Sequence, residues 1–121
     1  MATYQQGDVV LKQIKSLDTI NAWQKDSKFE MKHPTDTITL AFGEATGHSH
    51  KFEAENLDTM VSVIGYGSRS GGLPTYVQVD GGNATLYHEE HNPLELPPAI
   101  YHVNIVREMD HISGNTRTVV D

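Results

Sequence analysis

Two short stretches concentrate the chemistry of this chain: Gly47-His48-Ser49-His50 and His88-Glu89-Glu90-His91. Imidazole both titrates near neutral pH and binds transition ions, so two histidine pairs raise acid–base and metal chemistry together. In an extended strand, residues two apart face the same way. His48 and His50 are therefore expected side by side, with Phe52 beyond them on that face. In Ala84-Thr85-Leu86-Tyr87-His88 the same rule puts His88 on the face of Ala84 and Leu86, which should turn to a core. His91 reaches His88 only if Glu89-Glu90 makes a turn. His48, His50 and His88, completed by His91, Glu53 or Glu44, would suit a divalent ion such as zinc, iron, nickel or manganese. An open coordination position would permit Lewis-acid chemistry or water activation.

Other chemistries fit less well. His88-Glu89-Glu90-His91 is one residue short of the zinc-peptidase pattern His-Glu-x-x-His, and it lies on no expected helix. Ser49 sits between two histidines in sequence, but in a strand its hydroxyl points away from both, which argues against a nucleophilic serine. The chain has no cysteine, so disulfides and thiolate metal sites are excluded and any metal site must be built from His, Asp or Glu. Sixteen acids against nine bases give a net charge of −7, and the bases are scattered. Tracking a phosphate backbone needs clustered cations, so no nucleic-acid partner is expected.

The elements that must position these residues read as strands. Gly7 to Ile14 is β-branched and bounded by glycine; Thr37 to Phe42 alternates, with Ile38, Leu40 and Phe42 on one face. Gly43 to Gly47 supplies a turn into His48 to Phe52. Further strands are expected at Thr59 to Ile64, Thr75 to Val79, Ala84 to His88, Ile100 to Arg107 and Thr116 to Val120. Asp80-Gly81-Gly82-Asn83 is a hairpin signal. Ser16 is a plausible N-cap for a short helix containing Leu17, Ile20 and Trp23, with Trp23 a core plug. The glycine-rich stretch Gly65 to Pro74 reads as a surface hairpin tip whose Tyr66 and Arg69 are placed to touch a partner. His33 and His111 read as solvated loop residues.

At 121 residues the chain has room for one core, and residues 1–121 are expected to form a single all-β domain. Seven to eight short antiparallel strands with almost no helix indicate a β-barrel or β-sandwich. No apolar run reaches membrane-spanning length, and Met1 to Gln6 shows no basic region followed by an apolar stretch. A cytoplasmic location without membrane contact is expected.

The order Gly43, Gly47, His48-Ser49-His50, Glu53, then Pro97-Pro98-Ala99-Ile100-Tyr101-His102, resembles the two-part signature of cupins. That resemblance implies a small cupin-like barrel with a metal held by three histidines and a glutamate. The alternation Tyr101, Val103, Ile105 leaves His102 facing outward, so His88 is the better third ligand. More of the chain is similar to a family of short uncharacterised bacterial and phage proteins. This second likeness rests on Gln6-Gly7-Asp8-Val9-Val10-Leu11, Thr46-Gly47-His48-Ser49-His50, His88-Glu89-Glu90-His91, Leu96-Pro97-Pro98 and Arg107-Glu108. It brings no activity with it.

Two functions follow as expectations. The first is a small β-barrel protein binding one divalent metal through its histidines, and a metal-dependent accessory enzyme if a coordination position stays open. The second is a phage structural or accessory interaction module, virion-surface or capsid-associated, whose histidines only hydrogen-bond. There the loops and strand edges would meet a protein partner or a second copy.

Overall fold

The computed structural model describes residues 2–20, 26–42, 47–69 and 72–106. These residues are all-β, with ten strands: β1 (Thr3–Gln6), β2 (Val9–Ile14), β3 (Lys28–Glu30), β4 (Thr37–Phe42), β5 (Ser49–Glu53), β6 (Ser62–Tyr66), β7 (Tyr76–Asp80), β8 (Ala84–Leu86), β9 (Leu94–Leu96) and β10 (Ala99–Ile105). One sheet runs β1-β2-β10-β7-β6-β3; β4-β5 and β8-β9 form separate pairs. Every pairing between strands is antiparallel. A single bridge between Lys51 and Tyr87 joins β5 to the chain leaving β8, and β9 lies against β1. No closed barrel forms among the described residues.

The count exceeds the seven to eight expected because three short strands carry weak sequence signals: β1 is polar, β3 is exposed throughout, and β9 has three residues. The expected strand at Thr116 to Val120, the Gly43 to Thr46 part of the turn, and Trp23 lie outside the described residues. Ser16 does cap: its Oγ accepts the Asp18 N–H at 3.2 Å, opening a single 3-10 turn, Leu17–Thr19.

Alternation builds the core. Val9 and Leu11 of β2, Val63 of β6, Val77 and Val79 of β7, and Tyr101 and Val103 of β10 turn one face of the large sheet inward. Ile38, Leu40, Phe52, Ala84, Leu86 and Leu96 cover it from the two strand pairs. The alternation breaks in β4. The register of β4 against β5 shifts between Thr39 and Ala41, so Leu40 and Ala41 are both buried and Phe42 is thrown outward, 68% exposed. A bulge adds one residue and inverts the facing of all that come after it, which overturns the expected Ile38-Leu40-Phe42 face.

Two glycine-containing turns connect the strands around the histidines. Gln6 pairs with Val9, leaving Gly7-Asp8 as a two-residue hairpin loop. Gly7 has φ +58° while Asp8 has no positive φ, the pattern of a type II′ turn that favours glycine first. Asp80 to Asn83, in contrast, is not a hairpin: β7 pairs with β6 and β10, while β8 pairs with β9. The chain crosses there from the large sheet to the β8-β9 pair. Gly81 makes that crossing feasible, since a Cβ on it would lie 2.0 Å from the Met60 carbonyl oxygen.

Candidate functional site

His50 is the anchor. It is the second residue of β5, 1% exposed, and faces the core beside Phe52. Its Nδ1 lies 2.8 Å from Oε1 of Gln6, itself 3% exposed at the end of β1. The Gln6 amide nitrogen donates to the carbonyls of Leu86 and Asn92, both at 2.9 Å. That fixes the amide orientation: Oε1 must accept, so His50 Nδ1 must donate. In the neutral ring the lone pair therefore sits on Nε2, which lies 3.3 Å from Oδ1 of Asp8 in the Gly7-Asp8 turn. Burial pushes the His50 pKa down from 6.5 to about 4, with neighbouring His88 adding to the fall and Asp8 opposing it. At neutral pH the ring is uncharged and its free lone pair faces a carboxylate.

Two more imidazoles pack against this ring, and a third, His48, packs against one of them. His88, just past β8, has its ring centre 4.3 Å from that of His50, 4.6 Å from His91 and 5.7 Å from His48. His91 is stacked against His50 at 5.9 Å. The chain bends at Glu89-Glu90, where the Glu90 N–H donates to His88 Nδ1 at 3.0 Å. Burial, then the proximity of His91, lowers the His88 pKa. At the rim, His48 Nδ1 lies 3.7 Å from Oε2 of Glu90.

A carboxylate fastens the bend to β5. Glu89 Oε1 accepts the Ser49 N–H at 2.9 Å and Oε2 accepts from Lys51 Nζ at 2.6 Å. These bonds, the one from Lys51 above all, hold the Glu89 pKa down to about 2. Lys51 also exchanges backbone hydrogen bonds with Tyr87, at 3.0 and 2.9 Å, one residue before His88. Gly7 closes the opposite side: a Cβ there would fall 2.6 Å from His91 Nε2 and 3.2 Å from His50 Cε1.

The rings come from two distant segments and Gln6 and Asp8 from a third, and the family comparison takes in all three. A family model described as a domain of unknown function, DUF8820, matches residues 5–106. The chain belongs to that family. The DUF8820 span contains Gln6, Gly7, Asp8 and the histidines of the cluster from His48 to His91. No curated protein and no solved structure matches the chain.

Within the DUF8820 domain, then, His48, His50, His88 and His91 come together. Glu53 does not join them. It shares the face of Ser49 and Lys51, opposite to His50, and its Oε1 accepts from Asn56 Nδ2 at 2.9 Å. Glu44 lies outside the described residues. His102 sits between the buried Tyr101 and Val103 on the outer face of β10, against Tyr76 at 5.1 Å. Among the described residues, no group of three or more His, Asp or Glu side chains stands in an arrangement that would hold a metal ion as it is.

Three other expectations need correction. Tyr66 ends β6 and is buried, its hydroxyl donating to Gln78 at 3.1 Å, so it is not part of a contact loop. Arg69 turns inward, donating from Nε to the Pro74 carbonyl at 2.9 Å and from Nη2 to that of Leu40. His33 is not simply solvated: its ring nitrogens face the carbonyls of Ala54 at 3.2 Å and Val61 at 2.7 Å. His111 lies outside the described residues.

Gln6 and Asp8 are the functional candidates that the histidine spacing missed. They flank the glycine of a hairpin turn, and nothing in the sequence ties that turn to a strand forty residues later.

Proposed function

We propose that this domain binds a divalent transition-metal ion at the imidazole cluster. One observation carries the reading: the Gln6 amide, fixed by two backbone carbonyls, makes His50 Nδ1 a donor, so that in the neutral ring Nε2 carries the lone pair, 3.3 Å from Oδ1 of Asp8. Metal-ligating histidines are oriented in just this way, by donating the other ring N–H to an oxygen acceptor. The cluster draws on imidazole and carboxylate, which suits zinc, iron, nickel or manganese better than calcium or magnesium.

At the level of architecture, we read the strands as an open roll in the order β4-β5-β8-β9-β1-β2-β10-β7-β6-β3. The Lys51–Tyr87 bridge and the approach of β9 to β1 support that continuity. The roll would carry the cluster where β5, the chain after β8 and the β1-β2 turn come together.

Metal analysis of untagged protein, with melting before and after chelation, tests the function. We expect close to one equivalent of metal and a melting temperature that falls on chelation, since a ligand at a hundredfold its Kd stabilises by about 3 kcal/mol. Less than about a tenth of an equivalent, with melting unchanged by chelator or by added zinc, would leave the histidines as hydrogen-bonding residues of an interaction module.

A further inference from the structure

We infer that the ion is held by two histidines and a carboxylate, His50 Nε2, His91 Nε2 and Asp8 Oδ1, gathered over the Gly7 turn, and that His88 packs beside them without ligating. The inference rests on the metal-binding reading above and assigns its ligands.

The first pair is set by distance. Two donor atoms, each roughly 2.1 Å from a shared ion, are 3.3 Å apart when they subtend roughly 100°. That is the separation of His50 Nε2 and Asp8 Oδ1, and it lies between the octahedral and tetrahedral angles. In the neutral ring, whose one proton is committed to Gln6, direct contact between the two would set a lone pair against an anionic oxygen.

The third ligand is fixed by the turn. His91 Nε2 and the Cε1 edge of His50 approach the same point above Gly7, 2.6 and 3.2 Å from where a Cβ would be. Asp8 is the next residue. Only a residue without a side chain leaves this space open, and its positive φ of +58° gives the same preference independently. His91 is exposed and comes after the Glu89-Glu90 bend, so its ring can close on the pair by side-chain rotation without repacking the core.

His88 is excluded by its own hydrogen bond. Its Nδ1 accepts the Glu90 N–H at 3.0 Å, which places the ring proton on Nε2 and makes that nitrogen a donor rather than a ligand. Its ring, 4.3 Å from His50 and 4.6 Å from His91, acts as the wall between the two ligating rings. Two nitrogens and one carboxylate leave coordination positions open, the arrangement that iron(II), manganese(II) and zinc use when an exogenous ligand must also bind.

Cobalt(II) titration, read by visible absorption and by zinc competition, separates these assignments. His50→Ala is expected to abolish binding. Asp8→Asn and His91→Ala should each weaken it by at least about tenfold, the lower end of what losing an outer-shell partner costs, and should change the cobalt bands. His88→Asn keeps an acceptor for the Glu90 N–H and should stay within about threefold of the wild type, well below that cost. Asp8 is partly exposed and Asn is isosteric with it, and circular dichroism checks that each variant folds. Wild-type cobalt binding with an unaltered Asp8→Asn spectrum overturns the ligand set alone, as does loss of binding in His88→Asn with His91→Ala unaffected. A wild-type protein that takes up no cobalt overturns the metal reading itself.

Discussion

Gln6 does more than any other side chain to define the cluster, although it is neither charged nor a metal ligand. Its amide closes three hydrogen bonds across three segments: to His50, to Leu86 and to Asn92. Gln6→Leu keeps much of the volume but strands the buried Leu86 carbonyl, the part-buried Asn92 carbonyl and one imidazole N–H, each unsatisfied group costing about 1–3 kcal/mol where no water replaces it. We expect a loss of about 2–4 kcal/mol in urea unfolding, together with metal affinity lowered about ten- to a hundredfold as the His50 tautomer is released. At this scale the sequence was informative about histidines and silent about their partners. Strand alternation brought His50 and His88 to one place, because a period of two residues is a local property. Gln6 and Asp8 reach His50 only through the folding of β1 beside β9, which no local pattern encodes.

Among the elements, the bend at residues 88–91 carries two rings on very little structure. β8 has three residues, and beyond it the chain is tied to β5 by the Lys51–Tyr87 bridge and by the Glu89 carboxylate. Glu89→Ala removes the side-chain tie and leaves the bridge. The expected result is faster hydrogen exchange at the Ser49 amide, whose acceptor is lost, with exchange in β2 and β10 unchanged. Added salt should produce part of the same effect in the wild type, since the Lys51–Glu89 pair is solvent-accessible and screened. The element scale also shows where alternation fails as a guide. Thr37 to Phe42 alternates cleanly in sequence, yet the bulge after Thr39 exposes Phe42 and brings the buried Ala41 opposite His50. A bulge is a two-strand property, set by the partner's register, and one strand read alone does not contain it. Asp80 to Asn83 misled for the same reason: its residues specify a turn, not which strands the turn joins.

For the whole molecule, the histidines set the pH response of the metal-free protein. His50 titrates near 6.5 in an unfolded chain and at about 4 in the fold, because burial disfavours its charged form. Between those values the unfolded chain binds more protons than the folded one, so stability increases with pH across the window and is lost as pH falls from 6.5 toward 4. Burial lowers the His88 and His102 pKa values as well, which adds in the same direction. Unfolding free energies from urea titrations at pH 7, 6 and 5 should fall progressively, by up to about 1.4 kcal/mol per pH unit for each proton taken up on unfolding. His50→Leu should flatten that profile whatever its effect at pH 7. The all-β character of the described residues was legible from β-branched alternation and Gly, Pro and Asn punctuation. The division into one large sheet and two strand pairs was not, since it depends on pairings between strands far apart in the chain.

The pairing of β2 with β10 joins Val9–Ile14 to Ile100–Ile105, nearly the two ends of the described chain. A two-residue hairpin such as β1-β2 is at best marginally stable alone, so the Gly7 turn is held in place only after β10 has been made and docked. The amide of Val106 completes this arrangement by donating to the Asp8 carbonyl at 2.8 Å. On a ribosome, the residues that would hold the ion emerge in sequence but cannot meet until nearly all of the domain is outside the exit tunnel. On the metal-binding reading proposed above, loading would therefore follow folding, and an ion would slow the domain's unravelling rather than seed the collapse of the nascent chain.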